Sequence, residues 1–65
     1  MLVEHYTRVL AVMTADPQTV AEIAHRSELA TTTTHDTLRV LHESREVDWQ
    51  PVTRGGKDCV GWFKV

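Results

Sequence analysis

Sixty-five residues carrying seven Lys plus Arg against nine Asp plus Glu, a formal net charge of -2, have room for one thin-cored domain, residues 1–65, and no second one. The single thiol, Cys59, cannot close an internal bridge, which excludes a disulfide-stapled secreted scaffold and leaves a reducing, cytoplasmic compartment as the natural setting. The longest uncharged apolar run, Val9 to Met13, falls far short of the ~20 residues of a membrane span, and no basic-then-apolar signal layout precedes it.

Leu2, Tyr6, Val9, Leu10 and Met13 recur at helical spacing, with Glu4, His5 and Arg8 on the other side, and predict an amphipathic helix from Leu2 to Met13. It stops near Thr14 to Asp16, because Pro17 disfavours helical geometry in the residue before it and has no N–H to give. Thr19-Val20-Ala21-Glu22 then spells a capping box, and Val20, Ile23 and Ala24 form the inner stripe of a short second helix. The run Thr31-Thr32-Thr33-Thr34 is poor helix interior and good helix start, so a third helix begins with Ala30 or Thr31 as its cap and runs to about Arg45. Thr34, Leu38 and Leu41 face inward with Thr37 at the margin, while Thr32, His35, Asp36, Arg39, His42 and Glu43 face out.

From Val47 the period changes to two. Val47 and Trp49 alternate with Asp48 and Gln50, and Val60 and Trp62 alternate with Gly61 and Phe63. Between these strands, Gly55-Gly56 can hold the positive φ of a hairpin turn, and Pro51 marks its strand as an edge or as bulged. Both tryptophans are expected to pack over the helices, with Phe63 on the opposite face and Cys59 a small apolar residue of the hairpin.

Two short helices joined by a tight turn, the second entered through hydroxyl residues and followed by a hairpin, make up a layout that places a helix in the major groove of DNA. The stretches Thr19-Val20-Ala21-Glu22-Ile23-Ala24, Leu29-Ala30-Thr31-Thr32-Thr33-Thr34 and Leu38-Arg39-Val40-Leu41-His42-Glu43-Ser44-Arg45-Glu46-Val47 resemble the winged helix-turn-helix family of bacterial and phage transcription regulators, in particular its multiple-antibiotic-resistance-type branch. The resemblance covers about the whole chain and implies a mostly helical α+β fold of three helices and a two-stranded wing. It departs at Ala30, where the family usually has serine, and at Arg45 and Glu46, where it has glycine and leucine. Arg45 would then take a left-handed conformation at a cost of ~1 kcal/mol.

The implied function is binding of double-stranded DNA by a small transcriptional regulator, monomer or homodimer. Thr31, Thr32, His35 and Arg39 would face the major groove, and Arg54 and Lys57 would flank the wing tip and meet the backbone. Charge sets a rival beside this reading. From Ala30 to Glu46, Arg39 and Arg45 stand against Asp36, Glu43 and Glu46, so the reading helix is weakly acidic. That balance suits a winged-helix protein-interaction module, an inhibitor or adaptor docking on a protein partner. A third reading is a piece of a longer protein, because winged helices are common terminal domains. No enzyme is expected, for the sequence has no glycine-rich phosphate loop and no paired carboxylates beside a base. No cofactor or metal is expected either: His5, His25, His35 and His42 lack metal spacing with Cys59, and His35 and His42 lie two turns apart.

Overall fold

A computed structural model describes residues 3–65. Three helices, α1 (Val3–Val12), α2 (Val20–Ser27) and α3 (Thr31–Glu43), precede an antiparallel hairpin of β1 (Val47–Arg54) and β2 (Lys57–Lys64). This is the order of three helices and a hairpin that the periodicities predict, and the mostly helical winged helix-turn-helix arrangement that the resemblance implies. Leu2, expected to open the first apolar stripe, lies outside the described residues. One core joins every element: Val9 and Met13 from α1 and its end, Ile23 from α2, Leu38 and Leu41 from α3, Val47 from β1 and Trp62 from β2.

The capping box forms as read. The Glu22 N–H donates to Thr19 Oγ1 at 3.2 Å and the Thr19 N–H donates to Glu22 Oε1 at 2.9 Å, so α2 starts with two otherwise orphaned donors satisfied. Both α2 and α3 end through a left-handed residue that is not glycine, Glu28 at φ 58 and Arg45 at φ 61. After α3 the Arg45 N–H reaches the His42 carbonyl and the Glu46 N–H reaches the Leu41 carbonyl, each at 3.0 Å. This pair of bonds closes the last turn in the Schellman pattern and makes the left-handed residue obligatory.

α3 begins after Ala30, whose side chain makes no capping bond. The threonines are used differently from the capping role expected of them. Thr34 Oγ1 donates to the Ala30 carbonyl at 2.9 Å and Thr37 Oγ1 to the Thr33 carbonyl at 2.8 Å. Back-bonding to the preceding turn lets both hydroxyls be buried without losing a hydrogen bond. Thr37, expected at the margin, is therefore as completely buried as Leu38.

The hairpin turns on Gly55 and Gly56, both at positive φ, as a two-residue primed turn requires. Its register runs unbroken from Val47↔Lys64 to Arg54↔Lys57 and passes through Pro51↔Val60, so Pro51 introduces no bulge. Gln18 and Trp62 exchange backbone bonds, at 2.9 and 2.7 Å, and the Lys64 N–H donates to the Thr14 carbonyl at 2.7 Å. Trp62 and Lys64 thus aim their backbone groups away from β1. By the two-residue repeat of the ladder, Val60 does the same, and its partner Pro51 meets the free side of β1, where a missing N–H costs nothing. β1 is the edge strand.

That edge position corrects the expectation for Trp49. Trp62, on the inner strand, is 7 % exposed, whereas its cross-strand partner Trp49 is 46 % exposed. The two share a face of the sheet, but the helices reach over β2 and the root of β1 at Val47 and leave the middle of β1 uncovered.

Two contacts fix the hairpin against the helices from its other side. A Cβ built on Gly61 would lie 2.6 Å from Val52 Cγ1 and 2.8 Å from Pro17 Cβ, so only glycine lets the strand approach the rigid proline. Near the tip, Arg54 Nε donates to Glu22 Oε2 at 3.2 Å, and its Nη2 donates to the Pro17 carbonyl at 3.0 Å. Glu22 thereby serves the α2 cap with one oxygen and the wing with the other. The Thr19 N–H, then the Arg54 guanidinium, hold its carboxyl below the usual 4.5.

Three stability outcomes follow from these contacts. Arg45→Gly relieves the left-handed penalty and should raise the unfolding free energy by about 1 kcal/mol in a denaturant titration. Gly61→Ala should lower it by about 1–3 kcal/mol, since the proline cannot yield. For Glu22 the lowered pKa means that the unfolded chain binds the proton more readily. Its contribution is complete above pH 4.5 and is lost as pH falls through the folded value. Glu22→Gln keeps an acceptor for the cap and removes the charge, so melting temperatures of the variant should fall less between pH 6 and pH 3 than those of the parent; parallel curves would refute the linkage.

Candidate nucleic-acid interface

The outward face of α3 is set by its inward one. With Thr34, Thr37, Leu38 and Leu41 buried, the 3.6-residue period puts Thr32, Asp36, Arg39 and Glu43 in a row on the opposite side. All four are exposed. His35 and His42 occupy the flank nearer the wing and set their rings edge-on to the Trp62 indole, with centroids 6.4 and 6.0 Å away. His42 Nε2 also lies 3.5 Å from Asp48 Oδ1 on β1. Val40 borders the other flank, half-buried, where it shares a shallow depression with Asp36, Arg39 and Glu43.

At the start of the row, Thr31, Thr32, His35 and Asp36 meet Val20, the first residue of α2, around an open hollow of about 490 Å³. Glu28 turns the chain between α2 and α3 in a left-handed conformation, and the first residue of α2 shares the hollow with the first two turns of α3. Val20 is the one member of this group that the sequence reading assigned only to the core. Its position directly after the Thr19 cap was the available signal, because a residue in the first turn of α2 sits beside the first turn of the following helix in this motif.

The six residues singled out from the sequence therefore fall into two groups. Thr31, Thr32 and His35 line one hollow, and Arg39 lies about one turn further along the same exposed face. Arg54 and Lys57 pair across the hairpin end, on a separate element. Within the second group their surroundings differ. Arg54 is held by Glu22, Pro17 and, through Nη1 at 3.3 Å, the carbonyl of Thr53. Lys57 is exposed beside Gly56. Among the described residues, no cluster of three metal-ligating side chains forms, and no helix is long and apolar enough to cross a membrane.

Comparison with protein families matches residues 3–51 to the IclR helix-turn-helix domain. No curated protein and no solved structure matches the chain. The match supports a helix-turn-helix transcription regulator family and not the multiple-antibiotic-resistance-type branch. The motif residues behind that finer resemblance explain why it did not discriminate: Ile23, Ala24, Leu38, Leu41 and Val47 are all buried, and Thr19 and Glu22 are cap partners, so they specify the packing of the motif and not its branch. Three-quarters of the sequence, from α1 into the middle of β1, falls within the match, and the chain belongs to the IclR helix-turn-helix domain family of DNA-binding transcription regulators.

Proposed function

We propose that residues 1–65 act as a single sequence-selective binder of double-stranded DNA, with α3 in the major groove and the hairpin tip against the backbone. The observation that carries this reading is the exposed face of α3 in a chain that matches a DNA-binding domain family. Thr31 and Thr32 offer hydroxyls and methyls to base edges or phosphates. His35 and Arg39 extend the same surface by one and two turns, Arg39 toward guanine or a phosphate. Lys57 supplies an exposed cation of the wing. Arg54, its donors already bound to Glu22 and Pro17, contributes chiefly by fixing the tip against α2 and by adding positive charge beside Lys57.

The acidic balance shapes the kind of binding expected. With Asp36 and Glu43 in the reading row, few phosphates are neutralised, so affinity for random duplex is low and shallow in its salt dependence compared with a basic reader. Monomer and homodimer are both compatible with this reading. An interaction module docking on a protein partner would share the fold but would need no duplex.

Fluorescence anisotropy of a labelled random duplex, titrated at several salt concentrations, tests the proposal. Binding should weaken linearly with log salt concentration, and Lys57→Ala should reduce that slope by about 1. Arg39→Ala should weaken binding further. No duplex binding at low salt by the intact chain would overturn the reading in favour of the protein-docking module.

A further inference from the structure

The hollow between the starts of α2 and α3 has a chemistry that narrows what the reading face can read. Val20, Thr31, Thr32, His35 and Asp36 line it: one apolar side chain, two that carry a methyl beside a hydroxyl, an imidazole and a carboxylate. A phosphate is a poor occupant, since Asp36 repels it and none of the lining residues is Lys or Arg. A guanine edge offers the carboxylate only acceptors in the major groove, and an adenine sets its N7 acceptor, which repels a carboxylate, beside its N6 amino group. A cytosine offers its N4 amino donor, and a thymine offers a C5-methyl to the apolar groups of the lining.

We infer that this hollow is a specificity site, in which a thymine methyl rests against Val20 and the Thr31 and Thr32 methyls while Asp36 accepts from the amino group of a neighbouring cytosine. The inference rests on the reading of α3 as a major-groove helix. It assigns Asp36, otherwise an obstacle to DNA binding, a selective role: a carboxylate in the groove weakens every site except one that presents an amino group to it. It also gives the first turn of α2 a part in base reading through Val20, which the half-buried packing of that residue against the core holds in place.

The test starts from duplexes that the protein selects out of a random pool. The selected sites should contain a thymine next to a cytosine. Replacing that thymine by deoxyuridine removes only the methyl and should weaken binding about fourfold, the worth of one buried methyl-sized group. Thr31→Ser and Thr32→Ser keep the hydroxyls and remove the methyls. Together they should bring the thymine-to-deoxyuridine affinity ratio toward one while leaving the salt slope unchanged. Asp36→Ala should abolish the preference for cytosine, about tenfold for a good base contact, and strengthen binding to random duplex. Selected sites with equal affinity for thymine and deoxyuridine, or an Asp36→Ala variant that selects the same cytosine, would overturn the inference while leaving DNA binding intact. Selection of no preferred sequence by a protein that still binds duplex would overturn it as well. Absence of any duplex binding would remove the underlying reading and this site with it.

Discussion

Trp62 ties the wing to the rest of the molecule. Its backbone exchanges two hydrogen bonds with Gln18 in the linker between α1 and α2, and its side chain sits in the core with Val9, Met13, Ile23, Leu38 and Leu41. The edges of His35 and His42 close over the indole from α3. One residue thus links the linker, the core and the exposed flank of α3. An aromatic ring buried this way contributes a large apolar area, and edge-to-face neighbours add ~0.5–1.5 kcal/mol beyond it. Without this anchor the hairpin would be a two-stranded ribbon with no means of stability of its own. The orientation of Lys57 relative to α3 is therefore set by the packing of Trp62 together with the Arg54 contacts at the tip.

Local chemistry made much of this legible. The Thr19–Glu22 capping box and the Gly55-Gly56 turn each depend on a few adjacent residues and could be read from the chain alone, whereas the left-handed Arg45 is implied by the family resemblance, in which glycine stands at that position. The fold followed, because period 3.6 giving way to period 2 after Glu46 leaves few alternatives. What could not be read was governed by partners far apart in sequence. Trp49 and Trp62 have the same strand periodicity and stand opposite each other, yet only the order of strands relative to the linker at Gln18 decides which is covered. Arg54 looked like a free wing cation because Glu22, thirty-two positions away, was already accounted for by the cap. A carboxylate has two oxygens, and the second one is what sequence reading overlooked. Glu28 gave no sign of its left-handed conformation, since neither a glycine nor the family resemblance marks its position.

The charge distribution becomes clearer once these partnerships are known. Two cations among the described residues are engaged at home: Arg8 with Glu4 on α1, at 3.4 Å, and Arg54 with Glu22. Exposed pairs of this kind contribute little to stability, but they lower the positive charge on offer to a polyanion. Under the proposed function, Arg39 on α3 and Lys57 on the wing are then the cations whose placement matters most for DNA. On the proposed reading, such a surface cannot depend on broad attraction to phosphate. It has to depend on fit, which gives the shape and chemistry of the hollow at Val20, Thr31 and Thr32 more weight than they would have in a basic domain.

The same reasoning bears on self-association. The outer edge of β1 is the obvious strand to extend, and it is blunted along its length. Pro51 has no N–H, and the Trp49 N–H is already taken by Asp48 Oδ1 at 2.8 Å. Two of the donors that a second strand would need are missing in the middle of the edge, which is how natural sheets discourage edge-to-edge pairing. The exposure of Trp49 beside that edge thus does not make it a template for another strand. Under the proposed function, two copies on paired half-sites would not meet by strand pairing along this edge, which leaves the hairpin free to lie along the DNA.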